Sequence, residues 1–485
     1  MKNQITMKIK QLTKLNNMIY LFKIYQGIIK KRTFNMLRYI IKLVLCSFLI
    51  ISVYATFLKA EDDEVVENNY HHFTLSNGLE FYLIQTNSPV VTYITWYDVG
   101  GGNDINSKEG VAHFVEHLMF KGTNKYSGTD FSKTIQLAGG NFNAFTSQDY
   151  TVYHETFQAD YLSNIMSLES DRMHLLKFNS NDFDSEKKVI LEERNMRVDN
   201  DVIGGFFEEF NSYFFAGSQY GHSLIGTREY FNKVDLNDVK SFYENYYYPN
   251  NTKIFVIGNV NINNLKLLAY RYYSYIPKKI VENKLSFMNK EPIQGIITYS
   301  LKDSRVKQEL LVRSYIAPTF NTIEKDQKSE IYGLILASKI LGSDSGILYQ
   351  ELVKNKQLAT DVSVSYDENA KANTSFDIII VPRDGVSLTV LNNELDNIIK
   401  QLIATGIQNS EIRIKSKKIR DDIVFLQDKD ESYLLYFAYN IMSGLTIKEV
   451  LSLPKDLFFT SQKDVNKALV SVFSKGHAVG KLLKD

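Results

Sequence analysis

Hydrophobic and polar positions along the chain fall into two successive cycles of strand and helix patterns. The first cycle opens at His72-Phe73-Thr74-Leu75, turns at Ser76-Asn77-Gly78 and returns through Leu79-Glu80-Phe81-Tyr82-Leu83-Ile84. Two short alternating runs around an Asn-Gly pair predict a β-hairpin. A strand is expected over 90–99, a glycine-rich loop over 100–104 and an apolar helix over 111–120. A further helix over 130–138 ends at Gly139-Gly140. Residues 141–154 read as strand, 159–176 as a long amphipathic helix and 182–198 as a charged helix. A buried strand over 253–258 and a closing helix over 263–275 complete the cycle.

The second cycle begins near Ile297. It reads as a strand (308–315), two helices (328–341 and 346–354), two strands (360–366 and 375–381) and helices over 388–405, 410–427 and 431–443. Its order parallels the first. The Lys-, Asn- and Pro-containing stretch 276–296 reads as a linker. The expected fold is therefore α+β, with two homologous α/β-sandwich domains over 66–275 and 297–485, each an antiparallel-rich sheet packed by helices.

Length supports this division, since 485 residues exceed one ordinary core. Bulk composition, 44% hydrophobic and 23% charged, is that of a soluble globular protein. The balance of 56 basic and 55 acidic residues shows no electrostatic footprint for nucleic acid, and none is expected as a partner. Cys46 is the single cysteine, which excludes an internal disulfide and a zinc site of several thiolates.

The N-terminus changes the picture. Arg38 and Lys42 precede an apolar run from Leu43 to Phe57, shorter than the ~20 residues of a membrane-spanning helix. Val53-Tyr54-Ala55 fits a cleavage site, Ala60 is a second candidate, and Glu61-Asp62-Asp63-Glu64 follows. Residues 36–60 are thus expected to be a signal peptide, giving a periplasmic or secreted protein; left uncleaved, they would anchor it to a membrane. Residues 1–35 read as a disordered leader or an over-extended start before Met36, and are set apart from the fold.

The candidate chemistry lies in His113-Phe114-Val115-Glu116-His117. Histidines four apart share a helix face and can point at one ion, and imidazole nitrogen suits Zn²⁺. Glu116 sits beside them, where a carboxylate can take a proton from water activated by the ion. A catalytic zinc needs a third protein ligand. Helix 182–198 offers Glu186 and Glu193, seven apart on one face, with Val189 and Ile190 expected to pack on the core between them. Glu193 is the preferred ligand and Glu186 a carboxylate that orients or tunes the site, while Glu192 competes for the ligand role. Taken without the histidines, this helix would be an ordinary solvated charged face.

The surroundings carry a resemblance. Gly110-Val111-Ala112-His113-Phe114-Val115-Glu116-His117-Leu118-Met119-Phe120-Lys121-Gly122-Thr123 resembles the signature of the pitrilysin, or M16, zinc metallopeptidases, most closely the short bacterial branch similar to mitochondrial processing peptidase. Gly139-Gly140-Asn141-Phe142-Asn143-Ala144-Phe145-Thr146, the Glu186–Glu193 helix, Tyr220-Gly221-His222-Ser223-Leu224-Ile225-Gly226-Thr227 and the stretch from Tyr246 to Asn251 match as well. The resemblance covers about residues 70–485. It implies one Zn²⁺ per chain held by His113, His117 and Glu193, and a half-clamp that encloses unfolded peptides. It also implies that the strand at Asn143 and Ala144 pairs with substrate backbone. For Asn143 the plainer reading is an ordinary strand-end amide.

The family's second domain lacks the metal motif, as here, and contributes an Arg and a Tyr seven apart that stabilise the oxyanion. Val353 and Thr360 stand at those places. Valine has no donor and threonine is too short. The departure implies a metal-bearing subunit that pairs with a metal-free homologue, with a homodimer as the milder alternative. A non-catalytic peptide-binding or assembly subunit of the same fold is the competing function.

Overall fold

A computed structural model of the chain describes residues 64–67, 69–104, 108–280 and 288–485. The leader, the signal peptide, Cys46 and part of the 276–296 linker lie outside the described residues. The Asn77-Gly78 turn joins strand β2 (Tyr70–Thr74) to β3 (Glu80–Gln85) as an antiparallel hairpin. With β1 (Glu64–Glu67), β4 (Val90–Tyr97), β5 (Asn141–Thr146), β6 (Thr151–Gln158) and β7 (Thr252–Gly258), it builds a seven-stranded sheet in the order β1-β2-β3-β7-β4-β6-β5. The pair β3 and β7 is parallel and the other pairs are antiparallel. The stretch 141–154, read as one strand, is two, because Ser147 Oγ accepts from the backbone N–H of Asp149 and Tyr150 and turns the chain there.

The second sheet contains β8 (Ile296–Asp303), β9 (Leu310–Ala317), β10 (Ala359–Tyr366), β11 (Thr374–Pro382) and β12 (His477–Lys484), in the order β10-β11-β9-β12-β8. Read from its other end, this is β8-β12-β9-β11-β10, the same topology as β3-β7-β4-β6-β5. The parallel pair recurs in the same place, β8 with β12. Two α+β domains are thus visible as a topological repeat, although the closing strand β12 left no clear period in the sequence.

Alternation along the strands divides the first sheet between two cores. On β4, Val91, Tyr93 and Tyr97 face the helices of the first half. Ile94 and Trp96 face helices of the second. The first-half helices are α1 (Val111–Leu118), α2 (Gly128–Leu137), α3 (Leu162–Leu175), α4 (Ser180–Arg194), α5 (Val202–Phe214), α6 (Leu236–Tyr246) and α7 (Ile262–Tyr273). Helix α3 departs from its expected amphipathic pattern: Glu169, Asp171 and Arg172 are all buried. Glu169 and Arg172 are tolerated because Arg172 Nη2 pairs with Glu155 at 2.9 Å and Glu169 at 2.6 Å, and Asp171 because it accepts from the Thr123 hydroxyl. Its guanidinium also lies 4.5 Å from the ring centres of Phe131 and Tyr153.

Helix α5 ties the halves together. Phe206, Phe210 and Phe214 recur every four residues and insert against Val312, Ile316, Ala478 and Leu482 of the second sheet. Burying each ring contributes about 1.5–3 kcal/mol. The remaining long helices are α8 (Lys328–Gly342), α9 (Leu388–Thr405), α10 (Asn409–Leu426), α11 (Asp430–Met442), α12 (Ile447–Phe459) and α13 (Gln462–Phe473). The run Lys325–Asn355, which includes α8, has the length and apolarity to cross a membrane, yet its most apolar window is 61% buried as core. The expected helix 346–354 is helical only over Ile347–Tyr349 and then widens into a π-helical turn over Gln350–Asn355.

Candidate metal centre

Helix α1 is placed by its first residues. Gly110 precedes it at φ +90°, and a side chain there would meet the Ile225 carbonyl at 2.5 Å. Asp104, in the glycine-rich loop, accepts from the backbone N–H of Gly110 at 2.6 Å and of Ala112 at 2.8 Å. The loop therefore caps the helix in the manner of an N-terminal acid. Val111, Ala112, Phe114, Val115 and Leu118 are buried. That leaves His113, Glu116 and His117 to share the face that lines a cavity of about 930 Å³.

Helix α4 supplies the opposing carboxylates. Asn179 caps its start by accepting from Asn181 and Asp182. Glu193 Oε2 lies 3.7 Å from His113 Nε2 and 3.4 Å from His117 Nε2. One donor atom from each of these three residues lies within 4.8 Å of the others. Ligands about 2.0–2.2 Å from a tetrahedral ion stand about 3.3 Å apart, so this donor set fits zinc. Glu186 Oε2 sits 3.1 Å from His117 Nδ1, on the far side of the ring from Glu193. It also pairs with Lys121. Glu186 thus fixes the His117 ring and leaves Nε2 for an ion. Glu192 is exposed and accepts instead from Asn195. Val189, expected in the core, is 48% exposed and lines the cavity, while Ile190 is fully buried. The helix presents only a narrow apolar stripe inward.

Electrostatics separate the two histidines. Burial and the charge on His117 bring His113 down to about 4. Burial would lower His117 as well, but its hydrogen bonds to Glu186 and Glu193 outweigh that and raise it to about 9. Glu193 is held below the ordinary carboxylate range, first by His117 and then, against desolvation, by the charges of His113 and Arg197. Burial pushes Glu116 up, against the hydrogen bond that Thr146 donates to its Oε2.

Thr146, Lys121 and Arg197 were not singled out from the sequence. Thr146 holds Glu116, and Arg197 Nη1 lies 3.0 Å from Glu193 Oε1. A signal for Thr146 exists in the period of β5, where residues 144 and 146 share a face. Arg197 carries one too, since it stands four residues after Glu193 in the expected helix 182–198, the spacing at which opposite charges pair on a helix. Asn143 and Ala144 line the same cavity on β5, the edge strand of the first sheet. Asn143 is exposed, and its Oδ1 accepts from the Ala144 N–H at 2.9 Å.

Comparison with known proteins places this geometry. The family profile for insulinase (peptidase family M16) matches residues 81–228, and that for the peptidase M16 inactive domain matches residues 233–417. The chain belongs to peptidase family M16. Among M16 relatives, zinc protease PqqE of Helicobacter pylori is 29% identical over 77% of this chain and 84% of its own length. The beta subunit of the mitochondrial-processing peptidase of Dictyostelium discoideum is 27% identical over 48% of each chain. A Helicobacter pylori protease of known structure superposes with a TM-score of 0.79 at 24% identity, over 85% of this chain and 99% of that one. The Escherichia coli periplasmic protease PqqL matches with a TM-score of 0.69 at 18% identity, over 86% of this chain and 48% of that one. The M16 profile spans the half with the His113, His117 and Glu193 cluster; the inactive-domain profile spans most of the half without the motif.

Proposed function

We propose that the chain is a zinc-dependent endopeptidase of extended, unfolded peptides. The observation that carries the reading is the convergence of His113, His117 and Glu193 beside the buried carboxyl of Glu116. His113, His117 and Glu193 would hold the zinc, which would supply Lewis acidity towards a carbonyl and lower the pKa of water towards neutrality. Glu116 accepts the proton of the attacking water and delivers it to the leaving amine. Its raised affinity for a proton suits both transfers. Thr146 keeps the Glu116 carboxyl turned towards the cavity, and Glu186 keeps the His117 ring in place. The free edge of β5 offers backbone groups at Asn143 and Ala144 to an extended peptide, which favours unfolded substrates.

Neither Val353 nor Thr360 supplies the Arg or Tyr donor that the resemblance implies for the oxyanion. Val353 is 8% exposed in the core, and the Thr360 hydroxyl lies 3.4 Å from the Val381 carbonyl. We therefore read the chain as the metal-bearing subunit of a heterodimer whose metal-free homologue brings the missing Arg and Tyr. Export through residues 36–60 would place it in the periplasm, the compartment named for PqqL of Escherichia coli.

The test combines metal analysis with cleavage of an unstructured peptide, for the chain alone and with its co-purified partner. Zinc is expected at one per chain, with cleavage rising when the partner is present. Glu116→Gln is expected to retain zinc and to lose activity by about 100- to 10,000-fold. Metal-free protein that still binds peptide would favour the non-catalytic subunit. Full activity of the chain alone would remove the heterodimer.

A further inference from the structure

The topological repeat places a second cavity where the metal centre has its counterpart. Helix α8 follows β9 as α1 follows β4, and α10 packs against α8 as α4 packs against α1. The edge strand β10 flanks this pair as β5 flanks the first. Between them lies a cavity of about 550 Å³, lined by Ser338, Ser343, Lys415, Val364, Ile419 and Ile423 among others.

Lys415 is its unusual member. It is only 5% exposed, and its Nζ donates to Ser343 Oγ at 2.6 Å and to Ser345 Oγ at 2.7 Å. No described carboxylate comes within ion-pairing distance of it. The neighbouring Lys418 is neutralised by Asp422 at 2.8 Å, and Lys339 stands exposed at the rim. Serine hydroxyls satisfy hydrogen bonds but carry no charge, so the buried ammonium remains without a counter-ion. An ammonium has three N–H donors and each hydroxyl keeps an O–H to give. One N–H and the O–H of Ser343, which lines the cavity, therefore remain for a ligand, while Ser345 is exposed outside the lining.

We propose that this cavity binds a carboxylate attached to an apolar carbon chain. The two donors and the uncompensated charge select an anion, and a carboxylate has lone pairs for both. Val364, Ile419, Ile423 and Leu426 complete the lining with apolar surface, which suits an attached hydrocarbon rather than a bare inorganic ion. The proposal does not depend on the metal chemistry of the first half.

Two sources share this chemistry, a peptide's free C-terminus and a small organic acid. Calorimetric titration of the zinc-loaded full chain would use three probes: an N-acetylated Gly-Leu-Val tripeptide with a free carboxylate, the same tripeptide amidated, and hexanoate. At least one free acid is expected to bind, and amidation or Lys415→Met to weaken binding roughly tenfold or more. Binding of the tripeptide alone identifies a chain end as the source, and binding of hexanoate alone a small acid. The bound acid is also expected to raise the Tm of the wild type but not of Lys415→Met. Should Lys415→Met fail to fold, Ser343→Ala, which keeps the ammonium, is expected to weaken binding several-fold. Equal affinity of wild type and the folded variant, or no binding of either acid, would overturn the proposal.

Discussion

The two halves of this chain repeat one strand order and put opposite chemistry in the same place. Where α1 meets α4, two imidazoles face two carboxylates, a donor set that fits the cation proposed for it. Where α8 meets α10, a buried ammonium faces two serine hydroxyls, and among the described residues no carboxylate answers it. The scaffold is common to both: a sheet edge, a helix leaving the sheet and a second helix crossing it. Function therefore resides in a handful of side chains and not in the fold.

The sharpest way to break this comparison is to remove one buried cation from each half. Arg172→Met would strand Glu155 and Glu169, both buried, and is expected to destabilise the protein by about 3–5 kcal/mol in chemical denaturation. Lys415→Met removes a buried charge with no acidic partner and is expected to leave stability unchanged or raised. A large loss at Lys415 would mean that its serine partners do more for the fold than hydrogen bonding explains.

How much of this was legible beforehand follows from what each feature depends on. The hairpin at Asn77-Gly78 and the histidine pair are local: turn chemistry and a spacing of four residues suffice. Glu193 was chosen by periodicity over Glu192, and the geometry puts Glu193 within reach of both imidazoles. Tertiary features were hidden. Val189 looked like core because it is apolar, but the helix faces a cavity there. The aromatic stripe of α5 pairs with strands some hundred and more residues later, so no local period announced its partner. Nothing local marks Arg172 or Lys415 for burial; the packing alone encloses them.

A smaller effect would sharpen the account of the first half. Glu186 touches no ion in the proposed centre; it holds the His117 ring. Glu186→Gln is therefore expected to weaken zinc affinity by about 10- to 100-fold without abolishing binding, measured by competition with a chromogenic chelator. Loss of all binding would instead make Glu186 a ligand.

The smallest effect concerns charge away from both sites. Burial would raise the Glu80 carboxyl, but His72, Lys253 and Tyr82 outweigh it and bring it down to about 2. The folded value lies below the ordinary 4.5, so this carboxylate stabilises the fold fully above about pH 4.5. The contribution fades as pH falls towards 2. Glu80→Gln should accordingly cost stability at pH 7, and the difference from wild type should shrink steadily between pH 4.5 and 2. A difference that is flat with pH would show that the interaction is not one of charge.

The central claim is that His113, His117 and Glu193 hold zinc. Zinc per chain, measured by metal analysis after dialysis in wild type, Glu193→Ala and Glu192→Ala, tests it most directly. One zinc in wild type and in Glu192→Ala, with none retained in Glu193→Ala, is the predicted result. Zinc retained in Glu193→Ala, or lost in Glu192→Ala, would contradict it.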